Sequence, residues 1–308
     1  MTELRRGTAY GVAAYLLWGL FPLYWPLLEP AGAVEILAHR IVWSLLVVVA
    51  ILAVQRNWGW VRLLAEDRRS LAILLAAAVL IALNWCLYIY GVNSDQVVET
   101  SLGYFINPIV TVMLGVLVLG ERLRRAQWVA IGLGTFAVVV LAVDYGRPPW
   151  IALGLAFSFG TYALLKNRVG ARVGAVQSLT VETAVLLLPA LAWLAVLGAR
   201  GDGEFGHAGA GSALLLASTG VVTAVPLLFF ASAARRVPLT VIGLLQYIAP
   251  VLQFLTGVLL YDEPMPASRL AGFALVWVAL TVLTFDSVRN RRRNQRRAAA
   301  EAQAAAFA

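Results

Sequence analysis

Residues 101–121 read SLGYFINPIVTVMLGVLVLGE, and residues 243–263 read GLLQYIAPVLQFLTGVLLYDE. A shift of 142 positions superimposes them: between 102–121 and 244–263, seven of twenty positions are identical, among them Pro108 with Pro250, Gly115 with Gly257 and Glu121 with Glu263. Each copy is an apolar run, interrupted near its start by proline and closed by glutamate. About 20 apolar residues form a helix that crosses a hydrocarbon layer of ~30 Å, so each copy has the length of a membrane span.

The rest of the chain has the same character. Of 308 residues, 61% are hydrophobic and 13% charged, whereas a soluble domain carries about 25% charged residues. The apolar runs are continuous and rich in Leu, Ala and Val, which is the pattern of spanning helices and not of alternating barrel strands. The expected fold class is an all-α membrane protein with ten transmembrane helices, near 8–26, 34–54, 71–91, 97–119, 125–143, 149–166, 176–197, 212–234, 239–261 and 267–286. The first run follows Arg5 and Arg6 as in a signal peptide. It contains Trp18, Pro22, Trp25 and Pro26 and ends in no clear small-x-small site, so a retained helix is expected. Cys86 stands alone, so no internal disulfide forms.

Basic residues orient these spans. With the N-terminus inside, twenty Lys and Arg side chains fall on the cytoplasmic side, only Arg147, Arg200 and Arg269 fall outside, and Arg40 lies within a span. This bias places both termini in the cytoplasm of a bacterial-type inner membrane. Five spans per copy is an odd number, so equivalent helices cross in opposite directions. The expected architecture is two inverted-topology five-helix repeats, over 1–146 (spans 1–5) and 147–288 (spans 6–10), followed by a basic tail at 289–308. That tail, beside a span, suits anionic lipid better than nucleic acid. The glycine-rich stretch 198–211 carries Asp202 and Glu204 without a GKS or GKT ending, and reads as an outer linker, not a phosphate loop.

No catalytic constellation is present in the pattern. With only His39 and His207, neither HExxH nor a Cys–His cluster can be assembled, so no metal, cofactor or enzyme activity is expected. The informative residues are polar ones inside spans. Arg40 lies about 9 Å beyond the start of its helix at 1.5 Å per residue, where an unpaired cation is costly. Glu182 is the other deep charge, and His39, Arg40 and Glu182 are expected to line a central polar cavity as an ion-paired cluster. Trp18, Asn84, Tyr88, Tyr104, Asn107, Gln246 and Tyr247 complete the candidate substrate cavity; Tyr104 and Asn107 precede Pro108 as Gln246 and Tyr247 precede Pro250. Proline frees a carbonyl one turn earlier, and matched helix breaks in two halves point to a transport site. Pro108 and Pro250 are thus expected helix breaks, with Glu121 and Glu263 as end-markers or gates. His39, Glu182 and Glu99 are candidate proton carriers.

Six blocks carry a resemblance: AYLLWGLFPLYW (14–25), EILAHRIVWS (35–44), NWCLYIYGVN (84–93), ETSLGYFINPIVTVMLGVLVLGERL (99–123), LGLAFSFGTYALLKN (153–167) and LLQYIAPVLQF (244–254). Over about residues 8–286 the chain resembles the RarD type of the EamA family, in the drug/metabolite transporter superfamily. The resemblance implies a ten-helix inner-membrane permease, exporting or exchanging a small metabolite or drug-like solute by alternating access. The second half departs from the first, with YDEP at 261–264 in place of LGER at 119–122. Expected partners are a small-molecule solute, membrane lipid and protons, with no nucleic acid. The alternative is a non-transporting membrane sensor or scaffold, which has no use for matched prolines and deep polar residues in both halves.

Overall fold

A computed structural model describes residues 3–56, 58–120, 123–169, 173–207, 209–234, 236–237 and 239–306; Glu121 lies outside the described residues. The elements in chain order are α1 (Glu3–Gly19), α2 (Phe21–Tyr24) continued by a 3₁₀ turn at Trp25–Leu28, α3 (Ala33–Gln55), α4 (Gly59–Glu66), α5 (Arg68–Asn93), α6 (Val97–Leu119), α7 (Arg125–Tyr145), α8 (Trp150–Val169), α9 (Ala175–Arg200), α10 (Gly209–Ala234), α11 (Leu239–Leu245), α12 (Ile248–Leu259) and α13 (Ala267–Ala306).

Among the described residues, eight of the ten suggested spans are long and apolar enough to cross a bilayer: α3, α5, α7, α10 and the stretches Val97–Val118, Val176–Arg200, Val241–Leu259 and Ala267–Asn290. A ninth stretch, Glu3–Gly19 with Phe21–Leu28, passes the same test as a pair bent by 44°, and the apolar part of α8, Trp150–Lys166, is shorter. The bend is written in the residues. Pro22 and Pro26 fall in the first turns of α2 and of the 3₁₀ segment, where a missing N–H removes no helical bond. The basic tail continues α13 as helix to Ala306. The linker is shorter than the expected 198–211, because α9 runs on to Arg200 and α10 begins at Gly209.

The chain forms two compact units that cut across its sequence halves: Met1–Tyr104 with Trp150–Pro264, and Phe105–Pro149 with Met265–Ala308. In the first, α3 packs on α9 and α10, α5 on α8 and α9, and α1 on α10 and α12. Glycine sets the closest of these approaches. A Cβ at Gly220 of α10 would stand 2.5 Å from the backbone of Trp43 in α3, and one at Gly19 of α1 would stand 2.7 Å from Leu252 of α12. Only a residue without a side chain allows such contact.

The second unit centres on α7 against α13. Arg124 Nε donates to Asp286 Oδ2 at 2.7 Å beside one end of α7, and Arg269 Nε donates to Asp144 Oδ2 at 2.8 Å beside the other. Phe105, Phe273 and Trp277 meet edge to face within this unit.

Candidate functional site

The first unit holds most of the residues singled out above, and it separates His39, Arg40 and Glu182 into three surroundings. Successive residues on a helix diverge by about 100°, so His39 and Arg40 leave α3 on different faces.

Arg40 is 4% exposed. Its Nε donates to Thr223 Oγ1 of α10 at 2.9 Å. The close approach at Gly220, one turn earlier in α10, brings Thr223 within reach. The guanidinium carbon sits 4.0 Å from the ring centre of Trp85, 5.1 Å from that of Trp25 and 5.8 Å from that of Phe21. Aromatic faces stabilise a cation through their quadrupole but bring no negative charge. Among the described residues, no carboxylate pairs with Arg40 within 4.0 Å.

Around this cation lie Tyr24, Tyr88 and Tyr104, near enough to feel its charge. Tyr88 and Tyr104 meet edge to face at 5.6 Å. Tyr104 donates to Asn84 Oδ1 at 3.3 Å, and Asn84 Nδ2 donates to Leu155 O and Ser158 Oγ, both at 3.0 Å. Tyr24 donates to Leu215 O at 3.0 Å. Trp18 packs on Tyr15 and Phe230, and its carbonyl accepts from Gln253 Nε2 at 3.1 Å.

Glu182 does not meet Arg40. Its carboxylate, 2% exposed, accepts from Lys166 Nζ at 2.9 Å, Ser178 Oγ at 2.8 Å and Tyr162 OH at 3.3 Å. Three donors, one of them cationic, are what a buried carboxylate needs. The α8–α9 hairpin supplies Lys166 and Tyr162 from α8 and Ser178 from one turn before Glu182 in α9, so an expected long-range pair is replaced by a local one. Glu99, equally buried, accepts from Ile151 N at 3.0 Å.

His39 faces a third place. Its ring stacks on Phe205 at 4.8 Å, with Glu35 Oε1 4.0 Å from Nε2, and Glu35 accepts from Glu204 N at 2.8 Å. The stretch read as an outer linker is therefore tied to α3. A cavity of about 270 Å³ lies there, lined by Glu35, His39, Trp43, Leu194, Phe205 and His207 among others.

The proline-adjacent residues fare differently. Asn107 belongs to the second unit and accepts from Thr111 Oγ1 at 3.4 Å. Pro108 stands inside an uninterrupted α6. Gln246 and Tyr247 form the two-residue break between α11 and α12, ahead of Pro250, and both are half-buried. Glu263 is a helix cap: its carboxylate accepts from Val97 N at 2.5 Å and Val98 N at 3.1 Å, the first amides of α6. Sequence reasoning passed over Thr223, Trp25 and Phe21 as partners of Arg40. The dense aromatics of 14–25 were the only hint.

A model of the EamA-like transporter family matches residues 5–143 and again 148–285. The chain is 59% identical over 300 residues to "Protein RarD" of Streptomyces exfoliatus, covering 97% of this chain and 95% of that one. It is 43% identical over 297 residues to "Uncharacterized transporter YojE" of Bacillus subtilis, covering 94% and 97%. A solved structure described only as "Crystal structure of protein" shares the fold, with a TM-score of 0.57 at 20% identity over 91% of this chain and 97% of that one.

Proposed function

The chain belongs to the EamA-like transporter family, as a RarD-type member, and from that premise we propose that it is a secondary transporter exporting a small metabolite or drug-like solute by alternating access. In this reading ten spans form two inverted five-helix repeats, over 1–146 and 147–288, with both termini and the 289–308 tail in the cytoplasm. The site is the Arg40 surroundings, lined by Trp18, Asn84, Tyr88 and Tyr104.

One observation carries the reading: a cation buried within an apolar helix whose nearest neighbours are aromatic rings and a hydroxyl. A structural cation in a membrane helix is ordinarily neutralised by a carboxylate or reaches the interface, and functional sites are where this rule is broken. A sensor or scaffold gains nothing from that cost. The break at Gln246–Tyr247 and the bend after Gly19 support movement, because α1 and α12 touch where both helices are interrupted. The reading includes a coupled proton, with His39, Glu182 and Glu99 as its candidate carriers.

Proteoliposomes holding the full chain and a small-molecule extract of bacterial cells test the reading. Loss of one or a few solutes, measured by mass spectrometry against protein-free vesicles, is expected, and it should vanish in Arg40→Ala that inserts normally. Unchanged contents would leave the sensor or scaffold reading. Efflux indifferent to an imposed pH gradient would remove the proton from the cycle.

A further inference from the structure

Most of the described groups left without partners around Arg40 can donate; one acceptor, Gln253 Oε1 beside Tyr88, is also without a hydrogen bond. A guanidinium has five N–H donors, and Arg40 gives the one on Nε to Thr223. Trp25 Nε1 and Ser44 Oγ are buried and make no hydrogen bond. The Tyr88 hydroxyl, beside the Gln253 side chain, makes none of normal geometry. Trp25 lies against the guanidinium, Tyr88 is close enough to feel its charge, and Ser44 follows Arg40 by four residues, on the same face of α3. An indole N–H can only donate, and a hydroxyl can always do so. Free donors thus gather about a charge of +1 with which, among the described residues, no carboxylate pairs within 4.0 Å.

An amine ligand would add like charge and offer no acceptor. A neutral solute or water could accept from the donors yet leave the charge unbalanced. A phosphate dianion would overshoot it by one. A carboxylate balances it, and its two oxygens match the planar fork of a guanidinium in a bidentate pair. The surrounding Trp and Tyr rings suit an apolar body behind that head.

We propose that Arg40 anchors the single carboxylate of a monoanionic organic acid with an apolar body, Trp25 Nε1, Tyr88 OH and Ser44 Oγ being the neighbouring donors. The assignment deepens the transport reading and rests on it for its purpose. The binding itself can be tested without transport.

The test uses the purified full-length chain in detergent with uncharged lipid, melted with benzoate, benzamide, benzylammonium or phenyl phosphate at constant ionic strength. Benzoate should raise the melting temperature saturably, while benzamide and benzylammonium should not. In Arg40→Gln the benzoate shift should disappear. Arg40→Gln could fail to fold, so Trp25→Phe, which keeps the charge and the ring, serves as second variant; its apparent affinity for benzoate should fall several-fold. The assignment is overturned by no benzoate shift up to the solubility limit, by an equal shift with benzamide, by a larger one with phenyl phosphate, or by an undiminished shift in either variant. Phosphatidylglycerol that abolishes the benzoate shift would make a lipid headgroup the occupant and also overturn it. An Arg40-dependent benzoate shift without solute movement in proteoliposomes would remove transport and keep the site. Movement of neutral or cationic solutes without benzoate binding would do the reverse.

Discussion

The two copies of the repeated segment adopt different conformations. In the first, α6 runs without interruption through Pro108 to Leu119. In the second, the helix opens at Gln246 and Tyr247, resumes as α12 with Pro250 in its first turn, and ends at Leu259. Pro108, inside its helix, removes one helical hydrogen bond, whereas Pro250, in the first turn of α12, removes none. The second copy's surroundings are themselves irregular. Beside the second copy lies α1, itself broken after Gly19, with Gln253 bonded to the carbonyl of Trp18. A proline marks where a helix can open, and only in the second copy does it do so.

Substitutions in and around each copy test this difference. The largest effect is expected from Gly19→Leu, which drives a side chain into Leu252 and the backbone of Ala249; overpacking of this kind costs about 1–3 kcal/mol. The melting temperature of the purified protein should drop, whereas Gly132→Leu in α7, where an added Cβ meets nothing within 4 Å, should leave it nearly unchanged. Equal losses would mean that the α1–α12 contact is not a close one.

Glu263→Ala comes next. It removes the acceptor for the first amides of α6, and loss of a helix cap costs about 0.5–2 kcal/mol. Hydrogen exchange at Val97 and Val98 should accelerate with it, and Glu263→Gln should recover part of both effects. A protected N-terminus in Glu263→Ala would return this residue to the gate role expected of it.

Gln253→Leu should be milder, at about 1 kcal/mol for one hydrogen bond, and should loosen the hold of α12 on the broken end of α1. The smallest change in melting is expected from the prolines themselves, and there the contrast lies in exchange. Pro250→Ala supplies an N–H that can reach the Gln246 carbonyl, so amide exchange across 245–251 should slow. Pro108→Ala should change exchange across 104–109 little, because that stretch is already helical. Equal responses would erase the distinction between the copies.

Much of this organisation was legible beforehand. Apolar run length gives the helices, and the repeat gives matched prolines and glutamates, because both are local properties of the chain. That Arg40 needs compensation also follows from its neighbours in sequence. What compensates it does not: Thr223 lies 183 positions away, on a face of α10 exposed to α3 by Gly220, and that register comes from packing. The preference for a Glu182–Arg40 pair failed for a related reason. Lys166 is 16 residues from Glu182 across one hairpin, and a nearby cation reaches a buried acid at less entropic cost than a distant one. The compact units diverge from the sequence halves on the same grounds, since duplication leaves its trace in order and packing in space.

The antiparallel pair of α7 and α13 carries a mechanical consequence. Its two ion pairs, Arg124 with Asp286 and Arg269 with Asp144, stand beside opposite ends of α7. Displacing either helix along its axis by one residue, about 1.5 Å, would strain both bonds together. Shear inside the pair is thereby resisted at both ends at once.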